Sequence, residues 1–379
     1  MKHSAPFHSI LFVDAGMTSG ADGESVPDFF LDLNFDQIVD SVTRSRDEYD
    51  LVPFFCTPLE DIDAVAYRHE VFRDLERLPV CDLVGVFAGA MRSMRSRLNA
   101  AAKLRYPYQK ERWYLNAVDA YCDAVTGLAS GLAEADVRSR GLLGLGDYLL
   151  GYTRSKEFTT LREQVGELQR GLGAVRYCLL IKGNRITVGH YDDEADYSDE
   201  VVRTFHRFRQ HDPKDHRITF PTPTGMDHVE AGILDLVARL YPDLFGALDD
   251  FCAGNSDYLD PTIGRFDREV QFYLAYLDYL SPLQGAGLSF TYPQVSAQSK
   301  KTQARETFDL ALATKLTPEK APVVCNDFYL TGQERVLVVS GPNQGVAKPR
   351  PLSSFLSSSV TASASARSPT QSSSTSSRA

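Results

Sequence analysis

Ile263, Phe266, Val270, Tyr273, Leu277 and Leu280 recur at alternating steps of three and four residues. Apolar side chains at that spacing share one side only if the backbone winds as a helix, and the pattern predicts a coiled-coil-like seam. Asp260 and Pro261 stand just ahead of it as cap and first-turn residue. A helix of this length must bury its stripe against other helices, which biases the whole chain toward helix packing. Further helices are expected through the stretch DIDAVAYRHEVFRDLERL (61–78) and over roughly 83–103, 109–134 and 155–173. Thr57-Pro58-Leu59-Glu60 has the form of a capping box for the first of these, with Asp61 and Asp63 as equally good caps.

One stretch breaks the helical pattern. In YCLLIKGNRITVGHY (177–191) two β-rich runs flank Gly183-Asn184, the strongest short-range signal for a hairpin. RITFPTPTG (217–225) is a second extended piece and leads into a helix over 226–241. The expected fold is therefore mainly α: an elongated helical lever with a small β-containing insertion mounted at its far end.

Charge and composition narrow the function. Fifty acidic against forty basic residues give a net charge of −10, so generic nucleic-acid binding is disfavoured and any DNA contact must be local. The six cysteines are widely spaced with no C-x-x-C pair, which argues against a zinc site or a disulfide framework and fits a cytoplasmic protein. The apolar stretch near the start is too short for a signal peptide, and no run reaches membrane-spanning length, so no membrane partner is expected. Residues 346–379 hold thirteen serines and four basic residues but no acidic one, a composition that cannot offset its own ordering entropy. The remaining body carries 36 basic and 50 acidic residues, a net −14.

Val336–Ser340 is an apolar, β-branched run that reads as a buried strand, and Gly341-Pro342-Asn343-Gln344-Gly345 follows it. A phosphate-binding loop G-x-x-x-x-G-K-[ST] would continue with glycine, lysine and a hydroxyl residue; here Val346, Ala347 and Lys348 follow instead. With Asn326 upstream, this segment resembles the entry to the ATPase domain of the MutS family of DNA mismatch repair proteins. FFCTPLEDIDAVAYRHEVFRDLE (54–76) also resembles the start of that family's helical lever, and the likeness spans roughly residues 50 to 345. The resemblance implies ATP-dependent binding of mismatched DNA, with ATP and Mg²⁺ as cofactors and a homodimer as the working form. It implies nucleotide contacts at Gly341, Pro342, Asn343, Gln344, Gly345 and Asn326, with Val323 where relatives often stack an aromatic ring on adenine. It also places the basic residues Arg203, Arg207, Arg209 and Lys214 in the clamp-like insertion, where weak contacts to the DNA backbone are expected, with an ordinary charged surface as the alternative.

The family's mismatch-reading domain has no counterpart ahead of residue 50, and the likeness stops at Gly345. A phosphate is held by successive N–H groups, by the N-terminus of the next helix and by a lysine. Lys348 comes one position late, and Pro349 and Pro351 prevent a helix from starting where the loop needs it. The Ser/Thr ligand of Mg²⁺ is missing too. No ATP hydrolysis is expected of such a loop.

The genetic code offers a reason. Val-Ala-Lys-Pro-Arg-Pro-Leu can be written GTG GCA AAA CCA CGA CCT TTG. Preceded by G and read one base earlier, the string becomes GGT GGC AAA ACC ACG ACC TTT, or Gly-Gly-Lys-Thr-Thr-Thr-Phe. Residues 346–379 thus read as an out-of-frame tail, the alternative being a natural disordered tail after a degenerate loop. The expected layout is an extension (1–50), a first lever part (51–175), the insertion (176–225), a return part (226–316), a truncated P-loop start (317–345) and the tail (346–379). Left without a complete sheet and with at most a short partner strand from 323–330, Val336–Ser340 is expected to drive self-association. The alternative function is a catalytically dead fragment that serves only as a helical scaffold.

Two other clusters read as solvated loops. His206, His211 and His216 match no standard metal spacing, and YDDEADYSDE (191–200) has Tyr197 where a calcium loop needs glycine.

Overall fold

The computed structural model describes residues 7–13, 29–59, 61–193, 226–331, 333 and 334. These described residues are mainly helical, with two small antiparallel sheets among them. In order they form α1 (Phe29–Asp32), α2 (Phe35–Thr43), a 3-10 turn (Asp47–Tyr49), α3 (Val52–Cys56), α4 (Ile62–Leu75), α5 (Leu78–Lys103), α6 (Pro107–Glu134), α7 (Arg140–Tyr152) and α8 (Lys156–Ala174). Then come β1 (Tyr177–Lys182), β2 (Arg185–His190), α9 (His228–Leu240), α10 (Pro242–Gly254), α11 (Pro261–Gly285), β3 (Thr302–Thr307), α12 (Leu310–Leu316) and β4 (Asn326–Leu330). Two compact units share this chain: residues 1–89, 125–153 and 259–379 make one, and 90–124 with 154–258 make the other.

The first unit is built around α11. Asp260 caps it by accepting from the N–H groups of Thr262 and Ile263, and Pro261 occupies the first turn, as the sequence predicts. The expected seam is too narrow. Ile263, Phe266, Val270, Tyr273 and Leu280 are buried, but so are Glu269, Gln271, Phe272, Ala275 and Tyr276. A helix covered on several faces is a central core helix and not a two-stranded coiled-coil strand. Its aromatic rings interlock with α3 and α4: Phe272 lies 4.7 Å from Phe55 and Tyr273 lies 4.6 Å from Phe72, centroid to centroid.

The cap of α4 also needs correction. Thr57 closes α3, donating its hydroxyl to the carbonyl of Pro53, and Asp61 caps α4 by accepting from the N–H of Asp63. The Thr57–Glu60 box is therefore not the start signal. Against α4 packs α7, which the sequence reading missed. Ser139 caps α7, and the buried Asp74 carboxylate accepts from the N–H groups of Arg138 and Ser139 at 2.9 and 2.7 Å. Gly141 permits the approach: a Cβ there would lie 2.9 Å from Val71 Cγ2 and 3.1 Å from the Tyr67 hydroxyl.

The second unit contains the hairpin and the helices beside it. β1 and β2 pair from Tyr177↔His190 to Lys182↔Arg185, leaving Gly183-Asn184 as a two-residue turn. Gly183 alone has a positive φ, at +62°, which matches a turn with glycine at its first central position. α9 starts with a complete capping box, Asp227 with Glu230. Val188 on β2 packs with Ile233, Val237, Ala238 and Phe245 from α9 and α10. α8 meets α10 at Gly171, where a Cβ would come within 2.6 Å of Leu244.

Candidate functional site

The expected loop Gly341-Pro342-Asn343-Gln344-Gly345 and the expected strand Val336–Ser340 lie outside the described residues, as do Arg203, Arg207, Arg209, Lys214 and the three histidines of the same stretch. Two of the expected nucleotide-contacting residues are described. Val323 is half-buried in the coil after α12, and Asn326 opens β4 with its side chain on an exposed position.

The partner of β4 is β3, a strand that the sequence reading took for part of a helical return. The pairing is antiparallel, from Thr302↔Leu330 to Thr307↔Asn326, and the Thr307 hydroxyl donates to the carbonyl of Asn326 at 2.7 Å. Between Ala304 and Thr307 two residues of β3 face one of β4, a bulge. Glu306 sits in the left-handed region at φ 52°, and its N–H is satisfied by the Asp327 carboxylate at 2.7 Å. A non-glycine residue in this region is strained, and the Asp327 acceptor holds it there. α12 is fixed beneath by Asp309, whose side chain caps it, and by the 2.6 Å hydrogen bond between Tyr279 of α11 and Thr314. Residues 326–330 are thus paired with 302–307.

In the second unit Lys182 and Arg185 flank the hairpin turn, with Leu180 and Ile181 largely exposed beside them. Arg176 is spent on structure: its guanidinium donates to the carbonyls of Gly173 and Val175 at the end of α8. A cavity of about 370 Å³ lies near the α9–α10 junction, with Tyr108, Asp235, Arg239, Phe245 and Asp249 among its lining. Close to Asp249, Glu111 of α6 has its pKa pushed up to about 7, chiefly by burial and then by the neighbouring Asp249 carboxyl.

The densest buried polar cluster that we find among the described residues surrounds the segment Phe7–Val13, which forms neither helix nor strand. Ser9, Ile10, Leu11 and Phe12 are at most 1% exposed. Four successive carbonyls are each met by a side chain: His8 by Arg265 (2.8 Å), Ser9 by the Tyr67 hydroxyl (2.7 Å), Ile10 by the Tyr273 hydroxyl (2.7 Å) and Leu11 by Arg68 Nε (3.0 Å). The Glu269 carboxylate accepts from the Ser9 hydroxyl at 2.8 Å and from the Ile10 N–H at 2.9 Å. Ser9 Oγ in turn accepts from the N–H groups of Leu11 and Phe12, both at 3.0 Å. The Arg68 guanidinium lies 5.0 Å from the Phe12 ring centroid and 5.5 Å from that of Phe272.

Burial dominates the electrostatics of this cluster. It pushes the Glu269 carboxyl up to about 7, against the pull of the Ile10 and Ser9 hydrogen bonds and of Arg265 and Arg68. It lowers Arg68 to about 10 and raises the Tyr67 phenol to about 12. The Tyr273 phenol is raised well above its ordinary value for the same reason. Sequence reasoning assigned 1–50 to a plain extension and missed this cluster. The available signal was the pairing of Arg68 and Glu269 with apolar neighbours on helices, since charged groups on a core face need partners.

No helix among the described residues is long and apolar enough to cross a membrane. Comparison of the chain with protein-family models, with curated proteins and with solved structures found no match.

Proposed function

We propose that this chain is a MutS-like DNA-binding protein whose ATP-driven step is lost. The observation that carries the reading is the sequence Gly341-Pro342-Asn343-Gln344-Gly345 placed after an apolar run and downstream of Asn326. The family's cofactors would be ATP and Mg²⁺, with nucleotide contacts at the loop, at Asn326 and at Val323, which offers adenine no ring to stack on. DNA contact would be to the backbone only, through Arg203, Arg207, Arg209 and Lys214, with Lys182 and Arg185 as further positive charges earlier in the same insertion. The net −14 of the body makes that contact weak and steeply salt-dependent. The homodimer of the family belongs to this proposal as well, as does association through Val336–Ser340.

Two assays on the full chain test it. Duplex DNA should bind at low salt, and neutralising Arg203, Arg207 and Arg209 together should weaken binding while flattening its dependence on salt. Magnesium-dependent ATP hydrolysis should not exceed a protein-free control, because the chain has no lysine at the loop position and prolines where the helix would start. DNA binding that is absent, or unchanged in the triple variant, removes the DNA reading; measurable ATP turnover removes the claim of a lost step.

A further inference from the structure

We propose that α4 and α11 form a peptide-binding groove, that its present ligand is the chain's own residues 8–12, and that it accepts the same segment as a separate peptide. Backbone in a protein core normally satisfies its polar groups through helix or sheet bonds. Residues 8–11 instead present four consecutive carbonyls, and every one is read by a side chain of α4 or α11: Arg265, Tyr67, Tyr273 and Arg68. Glu269 reads the one N–H that points back at α11, together with the Ser9 hydroxyl. This is recognition of main chain by preorganised side chains, with apolar side chains filling in between, and it does not depend on the segment being covalently attached.

The groove is built to be occupied. Arg68, Glu269 and Tyr273 are all at most 2% exposed with the segment in place. Removing the segment opens these groups and the apolar wall between them to water, and a peptide with the same pattern restores both the hydrogen bonds and the burial. The ligand class follows from the contacts. It is a bent peptide with a serine, whose hydroxyl faces Glu269 and whose oxygen gathers the N–H groups two and three residues on, followed by three large apolar residues. Phe12 completes the set by stacking on Arg68.

The test uses the full chain with a protease site introduced between Val13 and Phe29. After cleavage, the N-terminal fragment should remain bound through gel filtration. A fluorescent peptide of sequence FHSILFV, in excess, should displace it and gain anisotropy on the cleaved protein but not on the uncut one. The same peptide with Ser9→Ala should compete about tenfold less well, the loss expected for a buried hydrogen bond to a charged group. Failure of the labelled peptide to bind cleaved protein that keeps its helical circular dichroism would overturn the proposal. If cleavage unfolds the protein, hydrogen exchange on the uncut chain decides. The Ile10 amide should exchange at least about tenfold faster than the slowest α11 amides, because the segment leaves its groove without global unfolding. Equal rates would make 7–13 an inseparable part of the core and end the proposal.

Discussion

Residues 7–13 and residues 177–190 both step outside the helical framework, and they meet one backbone problem in opposite ways. The hairpin pairs its inward-facing N–H and C=O groups in its own ladder, Tyr177 to His190 through Lys182 to Arg185, while Leu180 and Ile181 stay in solvent. The N-terminal segment makes no ladder. It hides its apolar side chains almost completely and borrows its hydrogen bonds from Tyr67, Arg68, Arg265, Glu269 and Tyr273. A local solution depends on a few neighbouring residues and is robust to change elsewhere. A borrowed solution depends on residues some 57 to 263 positions away and fails when any of them is lost.

The largest effect should come from removing the acceptor in the borrowed solution. Glu269→Ala leaves the Ser9 hydroxyl and the Ile10 N–H buried without partners and should destabilise the first unit by about 3 kcal/mol. Urea denaturation checks this, with Ile181→Thr as the contrasting change: on a side chain 67% exposed it should stay within about 0.5 kcal/mol. Equal losses from the two substitutions would break the comparison.

pH should act on the same contrast. The Glu269 carboxyl has its folded pKa raised to about 7 from an ordinary 4.5, so the folded state holds its proton more tightly than the unfolded state. The stability this gives is fully present below about pH 4.5 and is lost as pH rises through about 7. Between about pH 5 and about pH 8 the first unit should lose about 2 kcal/mol. Glu269→Gln should flatten that slope. Thermal melts of both chains across the range read it directly, and a slope unchanged in the variant would assign the pH response to other groups. Glu111 in the second unit is shifted the same way by burial and by Asp249. A double variant with Glu111→Gln therefore separates the two contributions.

The smallest effect sharpens the other side. Gly183→Ala puts a Cβ on a residue at φ +62° and should cost the hairpin about 1 kcal/mol. Faster hydrogen exchange should then be confined to β1 and β2, with α11 unchanged. Protection lost in α11 as well would show that the hairpin is not the self-contained element described above.

Legibility in the sequence followed the same division. The 177–190 hairpin, the Asp260-Pro261 start of α11 and the helices α5, α6 and α8 were readable because each is specified by neighbours a few residues apart. α7 was missed although it is capped by Ser139; its four glycines blur the apolar periodicity, and at one of them, Gly141, the missing side chain permits contact with α4. β3 was missed because TQARET has little apolar character, and it becomes a strand only by pairing with β4 across a bulge. The run Gly341–Gly345, on which the expected nucleotide contacts rest, falls outside the described residues.

By itself the sequence determined that the chain is mainly helical, where a glycine-turned hairpin lies, and that the run Gly341–Gly345 is followed by Val346 and Ala347 and not by glycine and lysine. Those properties rest on periodicity, turn chemistry and residue identity, all of which are local. Only the tertiary structure decided that α11 is wrapped on several sides, that β4 takes β3 as its partner, and that His8–Leu11 is bound like a ligand between α4 and α11. Each of these depends on which distant groups come within hydrogen-bonding or van der Waals reach. That information is set by packing of the whole unit, and no window of neighbouring residues contains it.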